Sequence, residues 1–237
     1  MSIYNLVSFV GIFILLGLAW LFSSNRRNVN YRVIIWALVI QFIFAAFIFL
    51  VPVGAKVFLY LNDVVVKVLD SASAVSAFLF GRLALPPGTQ NEYGEDSLGF
   101  FFAFQALPTI ICFSALVSIL YYYNIMQRVI KSFSYAFTKL MRISGAESLS
   151  AASNIFVGIE SSLTIKPYLD KMTRSELCTV LTAGMATVSS NILALYVFSL
   201  QNQFPTIAGH LISASILSAP AAVVMSKLLV PEDGVPE

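Results

Sequence analysis

The chain is 237 residues long, and 58% of its residues are hydrophobic whereas only 11% are charged. The mean hydropathy is +0.84. Soluble domains are about 45–50% apolar and about 25% charged, so this composition excludes a soluble enzyme and a disordered chain. Fourteen Lys and Arg residues against twelve Asp and Glu leave a net charge of +2, which is too small for the basic surface of a nucleic-acid-binding protein. Cys112 and Cys178 both lie in apolar runs, where neither a disulfide nor a metal site is expected. The chain is therefore predicted to be an all-α polytopic membrane protein.

Five stretches of mostly apolar residues are each long enough to cross a bilayer, which takes about 20 residues. In chain order they are residues 3–22, 33–52, 99–123, 177–200 and 208–229. A cleaved signal peptide is the alternative for the first stretch, but its basic residues follow the apolar run, whereas a signal peptide carries them in front. Residues 57–80 are apolar too, but Asp63, Lys67 and Asp70 recur along them, so this segment is expected to lie along the membrane surface.

The distribution of Lys and Arg predicts the orientation, because cytoplasmic loops carry an excess of both. Arg26, Arg27 and Arg32 place the first loop in the cytoplasm, and hence the N-terminus outside and the C-terminus inside. Residues 124–148 then return basic side chains to the cytoplasmic side, and their apolar spacing predicts an amphipathic interfacial helix. A solvated connector is the alternative, but it leaves the apolar spacing unexplained. The predicted location is the plasma (inner) membrane.

Residues 149–165 do not fit a span, since they are too short, rich in Ser and Ala, and interrupted by Gly158 and Glu160. Basic residues flank this segment on both sides, so a crossing would place the second basic group outside and break the charge rule. We expect a re-entrant helical hairpin whose tip lies near residues 157–162. Non-helical backbone at membrane depth is stable only when it is buried in protein or lines a wet cavity.

Glu160 is placed by this hairpin inside the bilayer, where a carboxylate is costly and by default functional. The alternative is a carboxylate that only pairs with a neighbouring helix. A second polar group, Thr187-Val188-Ser189-Ser190-Asn191, lies in the middle of the span 177–200. Four polar residues in five positions predict a helix that is broken at mid-membrane, as transporters build at their binding sites. Ser and Thr that pack against a neighbouring helix are the alternative.

No arrangement of residues for hydrolysis or redox chemistry accompanies these features. His210 is the only histidine, and the chain contains no GxSxG, Walker or HExxH motif, so ATP-driven transport and metalloproteolysis lack their parts. An ion-selective pore is a weaker alternative, since the single carboxylate lies on a hairpin and does not line a span. We accordingly expect a protein that is not an enzyme and needs no cofactor.

Several stretches of the sequence resemble the concentrative nucleoside transporters. They are FAFQALPTIICFSALVSILYYYNIMQRVI (102–130), AESLSAASNIFVG (146–158), KMTRSEL (171–177) and the first loop, SSNRRNVNYR (23–32). The resemblance runs along nearly the whole chain. It implies a homotrimeric symporter that imports nucleosides on a sodium or proton gradient. It also implies a scaffold domain and a transport domain that moves as an elevator and contains re-entrant hairpins in an inverted repeat.

The resemblance also assigns roles to individual residues. Glu160 matches the tip carboxylate that binds the nucleoside. The substrate site expected around it consists of Gly158, Ile159, Glu160 and Ser161. The side chains of Asn154 and Thr187 match oxygen ligands for sodium in the family. The backbone carbonyls of Val157 and Val188 match sodium ligands as well. Further candidates at the broken helix are Ser189, Ser190 and Asn191. Because Asn154 and Thr187 are both retained, sodium is favoured over H+ as the coupling ion.

The tip departs from the family pattern in one respect. It reads Gly158-Ile159-Glu160, whereas family members have Gly-Gln-Ser/Thr-Glu, so it is one residue shorter and lacks the amide that hydrogen-bonds the base. A site without that donor discriminates among nucleosides differently. Purine or pyrimidine preference is therefore not predicted.

The chain also stops where the family continues into a second inverted repeat. The resemblance then implies scaffold spans in residues 1–123, a cytoplasmic helix in 124–148 and the first part of the transport domain in 149–237, with the hairpin at 149–170. A truncated reading frame or a separately encoded partner chain would account for the missing repeat, and we expect no transport by this chain alone. A non-transporting membrane assembly subunit that retains the scaffold is the alternative function.

Overall fold

The computed structural model describes the backbone of residues 3–91, 93–161 and 165–234 and, within these ranges, every side chain except those of residues 3–6, 159 and 160. In these ranges the chain forms nine α-helices and no β-strand. They are α1 (Ile3–Leu21), α2 (Tyr31–Phe49), α3 (Pro52–Phe80), α4 (Phe102–Tyr122), α5 (Ile125–Met141), α6 (Gly145–Val157), α7 (Arg174–Ala186), α8 (Ser190–Leu200) and α9 (Ile207–Leu229). Short 3-10 helices are formed by Gly81–Leu83, Gly158–Ser161 and Lys166–Lys171.

The prediction of an all-α membrane protein is confirmed, and most of the predicted spans are helices with similar bounds. α1, α2, α4 and α9 overlap the stretches predicted at 3–22, 33–52, 99–123 and 208–229. Five stretches of the described chain are long and apolar enough to cross a membrane: Tyr31–Phe49, Pro52–Leu83, Phe102–Tyr122, Arg174–Leu200 and Ile207–Leu229. Over its described side chains, Val7–Leu21, α1 is a shorter apolar helix.

The segment predicted at residues 57–80 is part of a longer helix than expected. α3 has 29 residues and begins at Pro52, where proline is tolerated because the first turn of a helix does not use that N–H. Its length and composition make Pro52–Leu83 a candidate span, which corrects the set of candidate spans. The charged residues Asp63, Lys67 and Asp70 are all exposed, so the position of α3 relative to a bilayer stays a prediction.

The chain divides into two compact units. The first unit comprises Met1–Ala46, Val129–Thr187 and Ser215–Glu237, and the second comprises Phe47–Arg128 and Val188–Ala214. The second unit is built on a cluster of buried apolar side chains from α3, α4, α8 and the start of α9, namely Leu69, Phe113, Leu193, Ala194, Val197 and Ala208. The predicted division into scaffold and transport segments concerns movement through a membrane, and it stays a prediction.

In the first unit, the chain that leaves α6 at Val157 returns to the beginning of the same helix. Ile165 and Met172, which follow the tip, share a buried hydrophobic cluster with Ala146 of α6 and Val180 of α7. α6 also packs directly on α7. The described residues thus run out along α6 and come back, as a hairpin does, whereas the insertion of this segment into a membrane stays a prediction.

α6 and α7 begin with the same local structure, a capping box. The side chains of Ser144 and Thr173 accept hydrogen bonds from the backbone N–H of Glu147 and Glu176, and each glutamate accepts the N–H of its capping residue in return. This arrangement satisfies backbone donors that the start of a helix leaves unpaired. Glu147 and Glu176 are only 1% and 0% exposed, so each carboxylate has to be satisfied inside the protein.

A lysine from another helix balances the charge of Glu147. Near the end of α9, Lys227 places its Nζ 2.6 Å from Glu147 Oε1 and 3.1 Å from Glu232 Oε2. The same Nζ donates to Ser175 Oγ at 2.9 Å. The Thr179 hydroxyl donates to Glu147 Oε1, also at 2.9 Å. This buried ion pair therefore joins α6, α7 and α9 within the first unit.

The substitution Lys227→Met is expected to lower stability strongly, because it leaves the Glu147 carboxylate buried without a cation. Breaking one side of such a pair costs about 3–5 kcal/mol. The double variant Glu147→Gln/Lys227→Met removes both charges and should regain most of the loss. Thermal unfolding in detergent compares the stability of the wild type, the single variant and the double variant. Lys131→Met, which changes an exposed lysine of α5, is the control. A Lys227→Met variant as stable as the wild type would contradict the pairing.

Glu232 follows α9 and is expected to make stability depend on pH. Burial alone raises the pKa of its carboxyl, but the Thr173 hydroxyl, the charge of Lys227 and the Gly234 N–H together hold the pKa below its ordinary value of 4.5. A carboxyl whose pKa is lowered by folding stabilises the folded protein above the unfolded-state pKa, and this contribution is lost as the pH falls through the folded-state pKa.

On acidification below pH 4.5, the ordinary pKa of this carboxyl, the unfolding temperature of the wild type is therefore expected to fall more steeply than that of Glu232→Gln. Unfolding scans of the two proteins in the same series of buffers measure the difference. Parallel curves for the two proteins would show that Glu232 does not contribute.

Candidate functional site

The tip of the predicted hairpin begins where α6 ends. Gly158 has a positive φ of 70°, a conformation that costs little only for glycine, and this ends the helix. Residues Gly158–Ser161 form a 3-10 turn that packs against both α6 and α7. Ser161 is 2% exposed, and its hydroxyl has no hydrogen-bond partner among the described residues. The side chains of Ile159 and Glu160, which were predicted to bind substrate, lie outside the described part of the chain.

Asn154 lies one helical turn before the tip and is 1% exposed. Its amide nitrogen donates to the carbonyl oxygen of Ser150 at 3.0 Å and to the Ser150 hydroxyl at 3.3 Å. Because the nitrogen is bonded to Ser150, the amide oxygen Oδ1 is directed away from it, and within the described residues it has no donor. A buried acceptor left unsatisfied costs about 1–3 kcal/mol. Among the described residues, the side chain is thus oriented so that its oxygen is available to a cation or a donor.

The predicted break in the helix at 177–200 is confirmed. α7 ends at Ala186 and α8 begins at Ser190, and Thr187 between them is extended, with φ −111° and ψ 151°. The Thr187 hydroxyl donates to the carbonyl oxygen of Ala183 at 2.9 Å. A hydroxyl that donates in this way keeps its oxygen lone pairs for another partner. The end of α7 also leaves backbone carbonyls without partners inside the helix.

The remaining candidates from the polar run belong to the second unit. Val188 packs against the hydrophobic cluster of that unit, and Ser189 and Ser190 are the capping residue and the first residue of α8. Asn191 accepts a hydrogen bond on Oδ1 from the Ser114 hydroxyl of α4 at 2.8 Å. This hydrogen bond joins α8 to α4, and the role of Asn191 in a binding site stays a prediction.

The structure places three of the four predicted sodium ligands in one unit. Asn154, Val157 and Thr187 belong to the first unit, in which α6, the tip and α7 pack on one another, whereas Val188 belongs to the second. In the described part of the chain, no group of three or more His, Cys, Asp or Glu residues could hold a metal ion. The candidate oxygens of Asn154, Val157 and Thr187 are uncharged, and the ends of broken helices supply such oxygens to sodium in transporters.

Sequence reasoning missed two features of this region. Ser150, which orients Asn154, lies four residues before it, and this spacing places both on one face of a helix. The ion pair of Glu147 and Lys227 links positions far apart in the chain, so no local pattern could indicate the pairing.

Two family models match the chain. The model described as "Na+ dependent nucleoside transporter N-terminus" matches residues 10–83. The model described as "Nucleoside recognition" matches residues 103–203. The second match includes α6, the tip and the helix break, so the region of the candidate site lies inside it.

Similar proteins include bacterial and mammalian transporters. The chain is 40% identical over 230 residues to the nucleoside permease NupC of Helicobacter pylori, and this match covers 97% of this chain and 53% of that protein. It is 38% identical over 229 residues to sodium/nucleoside cotransporter 1 of Rattus norvegicus, and this match covers 96% of this chain and 33% of that protein. The chain thus spans about half of the bacterial relative and a third of the mammalian one.

Solved structures show the same fold. The structure of CNTnw in an inward-facing substrate-bound state matches with a TM-score of 0.86 and 35% identity, over 98% of this chain and 55% of that one. A CNTnw variant in an outward-facing state matches with a TM-score of 0.87 and 34% identity, over 100% of this chain and 55% of that one. The chain therefore belongs to the concentrative nucleoside transporter family and matches its N-terminal portion.

Proposed function

We propose that this chain takes part in sodium-coupled transport of nucleosides across a membrane, as one part of a longer transporter. The observation that carries the proposal is the buried amide oxygen of Asn154, which has no donor among the described residues and lies one turn before the end of α6. Relatives named as a nucleoside permease and a sodium/nucleoside cotransporter support it. Because the chain spans only part of these relatives, we propose the activity for the complete assembly, a homotrimer with its basic loops in the cytoplasm and its N-terminus outside.

Sodium binding would use uncharged oxygens of the first unit. Asn154 offers its amide oxygen, and Thr187 offers a hydroxyl oxygen whose proton is already donated to Ala183. Val157 is the last residue of α6, and the carbonyls of the last turn of a helix lack intrahelical partners. None of the three ligands titrates near neutral pH, so this set suits a metal cation better than a proton. Proton coupling is the less favoured alternative.

Nucleoside binding is proposed at the tip, next to the sodium ligands. A carboxylate accepts hydrogen bonds from hydroxyl groups, and such charge-assisted bonds are stronger than neutral ones. Glu160 is therefore proposed to accept hydrogen bonds from the ribose hydroxyls, with the Ser161 hydroxyl as a neighbouring polar group. Ile159 cannot hydrogen-bond through its side chain, so the base would have to be recognised by other groups.

A membrane assembly subunit without transport activity is the second candidate function. Such a subunit would keep the packed helices but would not use the oxygens of the tip. Substitutions that change single oxygen ligands without disturbing the packing separate the two functions.

The substitution Asn154→Leu is expected to abolish the stimulation of nucleoside uptake by sodium, because it removes the amide oxygen. Asn154→Asp keeps an oxygen at the same position and should retain sodium dependence with an altered sodium affinity. The measurement is radiolabelled uridine uptake by cells that express the complete transporter, with and without sodium. Wild-type uptake that is equally fast in sodium-free buffer with a pH gradient would contradict sodium coupling.

The substitution Glu160→Gln is expected to weaken nucleoside binding by about 10- to 100-fold, because a hydrogen bond to a charged group contributes about 1.5–3 kcal/mol. Calorimetric titration of the purified complete transporter with uridine measures the change. Glu95→Gln, in an exposed loop, is the matched control and should bind like the wild type. If Glu160→Gln also binds like the wild type, the assembly-subunit function gains support.

A further inference from the structure

α5 carries a line of exposed polar residues that the proposed transport site does not use. Lys131, Tyr135 and Lys139 recur at every fourth position, and all three are exposed. Residues spaced in this way lie on one face of a helix. The Lys139 ammonium lies 5.5 Å from the centre of the Tyr135 ring, within the range of a cation–π interaction. α5 contains no acidic residue. We call these three residues the basic stripe.

The opposite face of α5 is fixed by packing within the first unit. Phe137 and Met141 are fully buried. The Phe133 ring makes edge contacts with the rings of Phe44 of α2 and Phe156 of α6, with ring centres 6.0 and 5.7 Å apart. An amphipathic helix usually buries its apolar face in lipid, but here the protein itself covers part of that face. The basic stripe is consequently held outward.

The position of α5 in the chain places its start at a membrane surface. α4, a candidate span, ends at Tyr122, and α5 begins at Ile125. A helix that follows a span after two residues starts where the hydrocarbon ends. In an anionic bilayer, this is the depth of the lipid phosphates, and basic side chains near such a surface contribute about 1 kcal/mol each.

A cavity of about 530 Å³ lies in the first unit and is lined by Ser134, Gly145, Ala146, Leu149 and Tyr168. Its volume lies within the usual range for small-molecule sites, about 300–1,000 Å³. Ser134 belongs to the same helix as the basic stripe, and Tyr168 belongs to the 3-10 helix Lys166–Lys171. That 3-10 helix contributes the exposed Lys166 as well as one exposed acid, Asp170. The wall is thus largely apolar, while lysines lie on both segments that border the cavity.

We propose that the first unit binds an anionic phospholipid at this place. Lys131 and Lys139 of the basic stripe and Lys166 hold the phosphate of the headgroup, and the beginning of an acyl chain enters the cavity beside Leu149. The chemistry of the occupant follows from charge complementarity combined with the apolar wall, since a free phosphate ion would leave the cavity unused. The site is independent of the proposed sodium and nucleoside ligands.

The test compares the binding of phosphatidylglycerol and phosphatidylcholine to the purified full chain in detergent, by native mass spectrometry. The wild type is expected to prefer phosphatidylglycerol. In the double variant Lys131→Gln/Lys139→Gln, the ratio of the affinities for phosphatidylglycerol and phosphatidylcholine should be roughly 25-fold lower than in the wild type, which is about five-fold for each lysine. Lys56→Gln/Lys67→Gln, which removes two exposed lysines from α3, is the matched control and should keep the preference.

A third variant tests the cavity separately. A Cβ atom added at Gly145 would meet no atom within 4 Å, so the backbone there has room for a side chain. We expect the leucine of Gly145→Leu to occupy part of the cavity, and hence to weaken the binding of both lipids while the preference for phosphatidylglycerol is kept. Equal wild-type affinity for the two lipids would overturn the proposal. So would an equal loss in the α3 control, or unchanged lipid binding by Gly145→Leu.

Unfolding temperatures in phosphatidylcholine show whether each variant is folded. If the variant Lys131→Gln/Lys139→Gln is not folded, the salt dependence of lipid binding by the wild type tests the proposal instead. An electrostatic headgroup site must lose affinity for phosphatidylglycerol as the salt concentration is raised. An affinity that does not change with salt would overturn the role of the lysines.

Discussion

The hydrocarbon interior of a bilayer contains no water, so backbone that stops being helical there has to find its partners inside the protein. The arrangement of the first unit is consistent with this constraint for a hairpin that enters the membrane, as we propose. The chain leaves α6 at Gly158 and α7 at Thr187, and the turn after Gly158 packs on both helices. The Thr187 hydroxyl uses its proton on the helix it follows. The turn after α6 is therefore covered by packed protein, whereas Met185 and Ala186 at the end of α7 are exposed. Oxygens that remain unsatisfied at these two helix ends are available to a ligand.

Charge inside the first unit has to be balanced as well, and the buried Glu147 carboxylate has two tasks there. Glu147 closes the capping box of α6 and also pairs with Lys227 of α9. Local helix formation and the packing of distant helices thereby depend on one side chain. Since Thr179 of α7 donates to the same carboxylate, the start of α6 is fixed to two other helices.

Much of this architecture could be predicted from local patterns. Apolar runs predicted α1, α2, α4 and α9, and the polar residues around Ser189 predicted the break between α7 and α8, because both signals depend only on neighbouring residues. α3 was missed as a candidate span because three exposed charges outweighed its length. The pairing of Glu147 with Lys227 was beyond the reach of sequence reasoning, since it depends on how the chain folds back. The free oxygen of Asn154 likewise depends on the orientation of its amide, which Ser150 sets.

The chain passes between the two compact units four times. Three of these passages lie inside the helices α2, α5 and α9, where any change of direction would have to strain or break backbone hydrogen bonds. The fourth lies between Thr187 and Val188, where the helix has already ended. Rotation about the torsions of this short extended link costs no helical hydrogen bond. Of the four covalent connections, it is therefore the one with mechanical compliance, and it is formed by the same residue whose hydroxyl is a candidate ion ligand.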